Sequence, residues 1–283
     1  TGVPVQTQDF RWSLSTSISK TFNRVETKPS TDEFNVDHFL DGTVITKGNP
    51  VNTFFSYRFK GLSPLDGGPL FYDYKENPER LYGKSKHDIF TTILEASGSR
   101  EPKFSGSFNN TFTYKNFRLN MTLAYSLGAK TRLFKLFDNQ DFGPEQNVNR
   151  DFLDRWQRPG DEMYTDIPVI MNGGVSGYDV HWSSYGDLLP TFGGSAWNMY
   201  NYSDLRVVSA DYLKCTTMTL TYSFPNELIS KWKLQRLELS LSTNNPFIFC
   251  SSKLKGQTPT QGGFTTIQLS ERPTFSFGLY VSF

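Results

Sequence analysis

Residues 117–127 read FRLNMTLAYSL, and their side chains separate into two sets by parity. Phe117, Leu119, Met121, Leu123, Tyr125 and Leu127 fall on one side of an extended chain, and Arg118, Asn120, Thr122, Ala124 and Ser126 on the other. Successive Cβ atoms of a strand point to opposite faces, whereas a helix would scatter both sets around its axis. The period therefore commits this segment to a strand with one apolar and one small polar face. The same signature recurs in FRWSLSTSIS from Phe10, FSGSFNNTFTY from Phe104, YLKCTTMTLTYSF from Tyr212, LQRLELSLS from Leu234 and TFSFGLYVSF from Thr274. A shorter candidate at 51–59 and a weaker one at 41–47 bring the expectation to about eight strands. Residues 104–114 and 117–127, separated by Lys115-Asn116, read as a tight antiparallel hairpin.

The polar sets decide which solvent the apolar sets face. They are Ser, Thr and Asn, where the outer face of a soluble sandwich usually carries more Lys and Glu. In a transmembrane barrel, lipid-facing side chains alternate with lumen-facing ones, so average hydropathy stays low however aromatic the chain is. This chain is 16% aromatic with 25 Phe, yet its mean hydropathy is −0.47. No run approaches the roughly 20 apolar residues of a membrane helix. Lys plus Arg number 29 and Asp plus Glu 28, which leaves no electrostatic footprint for nucleic acid.

The connections are lopsided. Those at 48–50, 115–116 and 226–233 are short, and those at 62–103, 133–212 and 243–272 are long. Alternation of short turns with long loops is the outer-membrane barrel pattern, and it predicts the long connections on one end of the sheet and the short ones on the other. The long loops are rich in Gly, Pro, Asn and aromatics. Trp182, Tyr185, Trp197, Tyr200 and Tyr202 are candidates either to touch a ligand or partner, or to pack the loop on itself.

Motifs for covalent chemistry are missing. His38, His87 and His181 lack metal-ligand spacing, GGVSG departs from the nucleophile elbow, and there is no P-loop or dinucleotide fingerprint. The expectation is no enzyme, no cofactor and no metal, with Asp154, Asp161 and Asp166 as the one set of acidic loop residues considered for calcium. Cys215 and Cys250 lie near predicted strand ends, and the spacing leaves a disulfide open.

The residues also resemble a known family. DFLDRWQRPGDEMYTDIP, with Trp156, Pro159, Gly160 and Asp161, is similar to a loop of the SusC/RagA-type TonB-dependent outer-membrane transporters of Bacteroidetes. YSDLRVVSADYLKCTTMTLTYSFP resembles a loop, strand and closing proline of that family through Tyr212, Leu213, Thr219, Leu220, Tyr222 and Pro225. LELSLSTNNPFIF matches at Asn245 and Phe247, and RPTFSFGLYVSF resembles the family's last strand. Upstream, GNPVNTFFSYRFKGLSPLDGGPLFYD and EPKFSGSFNNTFTYKNFRLNMTLAYSLG resemble further family segments. Two positions depart from the pattern: Ala210-Asp211 stands for the usual Gly-Ser, and Thr258-Pro259-Thr260 for Asp-Pro-Glu.

The resemblance implies an all-β fold in which residues 1–283 are the C-terminal portion of a barrel of about 22 strands, with long extracellular loops and with the plug lying elsewhere. It implies TonB-dependent import of an oligosaccharide or peptide across the outer membrane. The partners it implies are a SusD-like surface lipoprotein, the TonB complex (through parts outside this chain), the rest of the barrel and plug, and outer-membrane lipid. It also implies that Phe275, Phe277, Leu279, Val281 and Phe283 form a C-terminal assembly signal. Two other readings stay open on the residues alone: a free-standing small barrel acting as porin or adhesin, and a soluble carbohydrate-binding β-sandwich.

Overall fold

The computed structural model describes residues 1–28, 34–72, 83–136, 149–170, 196–261 and 270–283. Seven strands form one antiparallel sheet: β1 (Gly2–Gln6), β2 (Phe10–Lys20), β7 (Phe104–Tyr114), β8 (Phe117–Leu127), β11 (Tyr212–Ser223), β12 (Arg236–Cys250) and β13 (Thr274–Ser282), in that order. Each pairs antiparallel with its neighbour in the sheet. Chain direction therefore alternates, so residues 7–9, 115–116 and 224–235 lie at one end, and 21–103, 128–211 and 251–273 at the other. The end-to-end sorting expected from loop lengths is present for 115–116 and 226–233, whereas 48–50, expected among the short turns, lies inside the long 21–103 connection at the loop end.

Register carries the parity pattern across the sheet. Trp12, Phe112, Leu119, Leu220, Leu241 and Phe277 are successive cross-strand partners and form one apolar row. One residue along, Ser13, Thr111, Asn120, Thr219, Ser242 and Ser276 form a polar row on the opposite face. The polar face is stitched by side-chain hydrogen bonds: Thr111 Oγ1 to Asn120 Oδ1 at 2.9 Å, Thr219 Oγ1 to Ser242 Oγ at 3.2 Å, and Ser17 Oγ with Ser107 Oγ at 2.9 Å. Among the described residues no second layer covers the apolar face. Phe277 is 73% exposed and Leu279 60%, and none of the three buried hydrophobic clusters among the described residues draws on this face. In water that much uncovered apolar surface is a liability, and a lipid environment removes it. Aromatic residues mark both edges of the face, with Phe10, Tyr114, Phe117 and Tyr222 at the turn end and Phe104, Tyr125 and Phe249 at the loop end.

The strand inventory differs from the sequence expectation in three places. The sheet has seven strands rather than about eight, and its first member, Gly2–Gln6, was not among those expected. Residues 41–47 are not a strand. Asn35 caps helix α1 (Val36–Asp41), accepting from His38 N at 3.2 Å, and Gly42 at φ 74° ends it. Val44 and Thr46 are buried because the chain folds back onto that helix, a local packing that imitates a two-residue period. Residues 51–59 do contain a strand, β3 (Thr53–Ser56), but every residue of it is buried. It pairs with β6 (Glu95–Ser99) in a ribbon inside the long 21–103 connection.

The last strand pair also runs further than expected. β12 continues through Asn244-Asn245-Pro246 to Cys250, so the long connection starts at 251, not 243. A bulge makes this possible. Asn245 and Pro246 oppose the single residue Thr216, and Asn245 takes φ 52°, a left-handed conformation Asn tolerates. Proline cannot donate to a ladder, and a bulge is one of the few places it can sit. Cys215 is opposite Phe247 and Cys250 opposite Tyr212, and both thiols are free.

Candidate functional site

At the loop end the long connections pack into one body. The 21–103 connection contributes α1, β3, β4 (Phe59–Leu62), β5 (Pro69–Phe71), α2 (Lys86–Ile93) and β6. The 128–211 connection leaves β8 and returns to β11 through a short antiparallel ribbon, β9 (Lys130–Arg132) with β10 (Val207–Ser209), and carries α3 (Ala196–Asn201). Phe39, Leu40, Val44, Phe55, Phe90, Ile93, Met199 and Tyr202 belong to a buried cluster spanning both connections. Backbone bonds tie them as well: Tyr57 N donates to Tyr202 O at 3.1 Å and Asp204 N to Tyr57 O at 3.0 Å.

Arg132 is the centre of this body. It is fully buried, and its guanidinium donates to Ser203 O at 3.0 Å, Phe55 O at 2.8 Å and Ser56 Oγ at 3.0 Å. The rings of Phe54 and Tyr202 flank it at 5.4 and 5.2 Å. Burial lowers its pKa to about 9, with Tyr202 and Asp41 pulling it back up, so it remains a cation at neutral pH. The 251–273 connection joins through Gln257, which accepts from Phe134 N at 2.9 Å and donates to Arg132 O at 3.1 Å. A planar side chain with several donors suits this role, because carbonyls from separate segments converge on it from different directions.

The Trp-Pro-Gly-Asp loop is a self-closed turn docked on the first connection. Asp161 Oδ2 accepts from Gln157 N and Arg158 N, each at 3.1 Å. Glu162 Oε2 accepts from Trp156 Nε1 at 3.1 Å and Gly160 N at 2.8 Å. Trp156 is buried against Gly67, where an added Cβ would lie 2.3 Å from the ring. Gly67 also has φ +69°, so both space and backbone demand glycine there. Hydrogen bonds from its own backbone N–H, then from the Trp156 indole, hold the Glu162 carboxylate below its usual pKa of 4.5. A depressed carboxylate contributes stability above its unfolded pKa and loses it as pH falls through the folded one. Trp156 fluorescence should therefore stay constant from neutral pH to about 5 and shift only as the pH falls further. In Glu162→Gln this acid transition should be absent.

The five loop aromatics fare differently. Tyr200 and Tyr202 are not exposed: Tyr200 is 1% and Tyr202 8% accessible, and both pack the loop body. The sequence left a contact role and a packing role open, and for these two the structure shows packing. Burial raises the Tyr200 pKa, with Arg206 beside it opposing. Trp197 lies in α3, while Trp182 and Tyr185 fall outside the described residues. Among the described residues no cluster of three His, Cys, Asp or Glu could hold a metal ion, and Asp161 is already used in closing its turn. Arg132 was missed as a structural centre, because one arginine in a polar-looking loop carries no periodic signal.

Comparison with known proteins bears on this combination of sheet and loop body. No family model matches the chain. Two curated relatives from Formosa agariphila do: "TonB-dependent receptor P3", 22% identical over 266 residues, covering 87% of this chain and 23% of that protein, and "TonB-dependent receptor P39", 22% identical over 332 residues, covering 99% and 29%. Among solved structures, the RagAB peptide transporter superposes with a TM-score of 0.64 at 17% identity, covering 100% of this chain and 28% of that one. The RagAB peptide importer in its "closed-closed" state gives 0.67 at 18% identity over the same shares. Over its whole length the chain shares the fold of part of the RagAB transporter. It spans less than a third of the length of these relatives, whose names are those of receptors and transporters, not enzymes. No helix among the described residues is long and apolar enough to cross a membrane, which says nothing of crossing by strands.

Proposed function

We propose that residues 1–283 form the C-terminal portion of an outer-membrane β-barrel that imports a bulky nutrient, an oligosaccharide or a peptide, in a TonB-dependent cycle with a SusD-like lipoprotein. The observation that carries this reading is the two-faced sheet, apolar and uncovered on one side and Ser/Thr/Asn-lined on the other, in a chain whose whole length follows the RagA fold. β1 and β13 end the sheet and are not paired with each other, so these seven strands do not close a barrel by themselves. An open edge cannot sit in hydrocarbon, so the remainder of the barrel would pair with them. This argues against the free-standing small barrel, and the uncovered apolar face argues against the soluble sandwich.

In this reading the packed loops are the extracellular rim, and the chain does no covalent chemistry. Trp182, Tyr185 and Trp197 keep their place as candidate contacts to substrate or lipoprotein. Phe275, Phe277, Leu279, Val281 and Phe283 keep theirs as the assembly signal, on the strength of the family resemblance. The test uses the intact polypeptide in its own outer membrane. Uptake of labelled oligosaccharides and labelled peptides is followed with and without a functional TonB, and the membrane complex is purified to ask whether a lipoprotein comes with it. Uptake of one class that disappears without TonB supports the proposal. Uptake of neither class, or uptake indifferent to TonB, sinks it.

A further inference from the structure

Where the apolar face of the sheet meets the loop body, a cleft of about 620 Å³ opens beneath the β3–β6 ribbon. Its wall includes Lys20, Lys103, Lys130, Phe22, Phe104 and Glu101. Register places Lys20 in an apolar-face row, since it pairs with Phe104, which pairs in turn with Leu127. A lysine ending a lipid-facing row at the loop end sits at headgroup height, where its charge leaves the hydrocarbon. Its ammonium lies 4.5 Å from the Phe22 ring centroid and 5.4 Å from that of Phe104.

The other two lysines are seated by glycines. The Lys103 stem occupies the space a Cβ on Gly128 would need, 2.9 Å away, and the Lys130 stem does the same at Gly98, 2.6 Å away. Both glycines have positive φ, 87° and 132°. None of the three ammonium groups forms an ion pair with a carboxylate among the described residues. Glu101, the one carboxylate on the wall, accepts from Asn52 Nδ2 at 2.7 Å. Three exposed cations and one engaged anion thus border a cleft that opens directly onto exposed Phe22 and Phe104.

We propose that this cleft binds the phosphorylated headgroup of an outer-leaflet glycolipid, a lipopolysaccharide, with its acyl chains lying against Phe22, Phe104 and the apolar row below. The charge complementarity selects the phosphate, and continuity with the lipid-facing surface selects a lipid over free phosphate. The inference rests on the membrane reading of the sheet. It concerns how the barrel is held at the outer leaflet, separate from what it imports.

The test uses the intact polypeptide extracted from the outer membrane, with heat-modifiability as the measure of assembled barrel. Purified lipopolysaccharide is titrated against the wild type, a K20A/K103A/K130A triple variant and a K20R/K103R/K130R variant. The same lipopolysaccharide after phosphatase treatment, and inorganic phosphate as competitor, form the control arms. A lysine beside an anionic membrane surface is worth about a factor of five in affinity. The alanine variant should therefore bind at least about tenfold more weakly, the arginine variant like wild type, and the dephosphorylated lipid poorly to all three. Assembled alanine variant with wild-type affinity overturns the lipid site alone, as does equal competition by free phosphate. Wild-type protein that never appears in the membrane as a heat-modifiable barrel overturns the membrane reading and the lipid site with it.

Discussion

Replacing Arg132 with alanine is expected to open the loop body while leaving the seven-stranded sheet paired. The substitution removes the guanidinium donors from Phe55 O and Ser203 O in a buried site, while Ser56 Oγ keeps its bond from Ser97 Oγ. Each buried group left without a partner costs about 1–3 kcal/mol, and the lost stem leaves a void between Phe54 and Tyr202. The total is about 3–5 kcal/mol, large for any single site. By contrast the half-exposed Lys255–Asp151 pair, at 2.7 Å, links the 251–273 and 128–211 connections for about 0–1 kcal/mol, so the arginine outweighs it. Arg132→Met separates the two causes, since it restores much of the volume and none of the hydrogen bonds. Arg132→Lys keeps the charge but cannot fork between Ser203 and Phe55. Amide exchange at 53–57 and 203–206 should rise most in the alanine variant, less in methionine and least in lysine, with heat-modifiability of the barrel unchanged. Unaltered protection in the alanine variant would show that the loop body is held by its aromatic cluster alone.

What was legible beforehand follows from what carries a period. The membrane-type strands were found because one solvent boundary runs along each of them, and lipid on one side with lumen on the other writes parity into the sequence. Where the chain packs on all sides the period stops being informative. Phe54 and Phe55 are both buried, so β3 reads like a membrane strand without being one, and Val44 with Thr46 imitates alternation by folding back on α1. Parity also breaks at Thr216. The apolar residues of β11 are even-numbered at Met218, Leu220 and Tyr222 and odd-numbered at Leu213 and Cys215, because a bulge inserts one residue between Cys215 and Thr217. The five-residue β1 gave too few alternations to register. In the loop body the lateness is of another kind: Arg132, Gln257 and Asp204 work through contacts 71 to 145 positions away in sequence, and nothing local announces them.

The apolar face makes the sharpest remaining claim, and a charge placed on it should block assembly. Met121 lies near the middle of β8, paired with Met218 on one side and Asn110 on the other. An arginine at the bilayer midplane of a barrel costs about 2–4 kcal/mol, against about 0–1 near the interfaces. Met121→Arg, made in the intact polypeptide, is therefore expected to lower the amount of heat-modifiable, membrane-inserted barrel severalfold or more. The neighbouring Asn120→Arg places the same side chain one residue away on the polar face. It loses the hydrogen bond from Thr111 and otherwise meets a wet surface, so assembly should stay near wild type. Phe117→Arg, on the same apolar face but in the turn-end aromatic row, should fall between them. The ordering tests the register itself, because a slip of one residue exchanges the two faces and would make Asn120→Arg the damaging variant. Equal assembly of Met121→Arg and Asn120→Arg would mean that neither face meets hydrocarbon, and the barrel reading of this sheet would have to be given up.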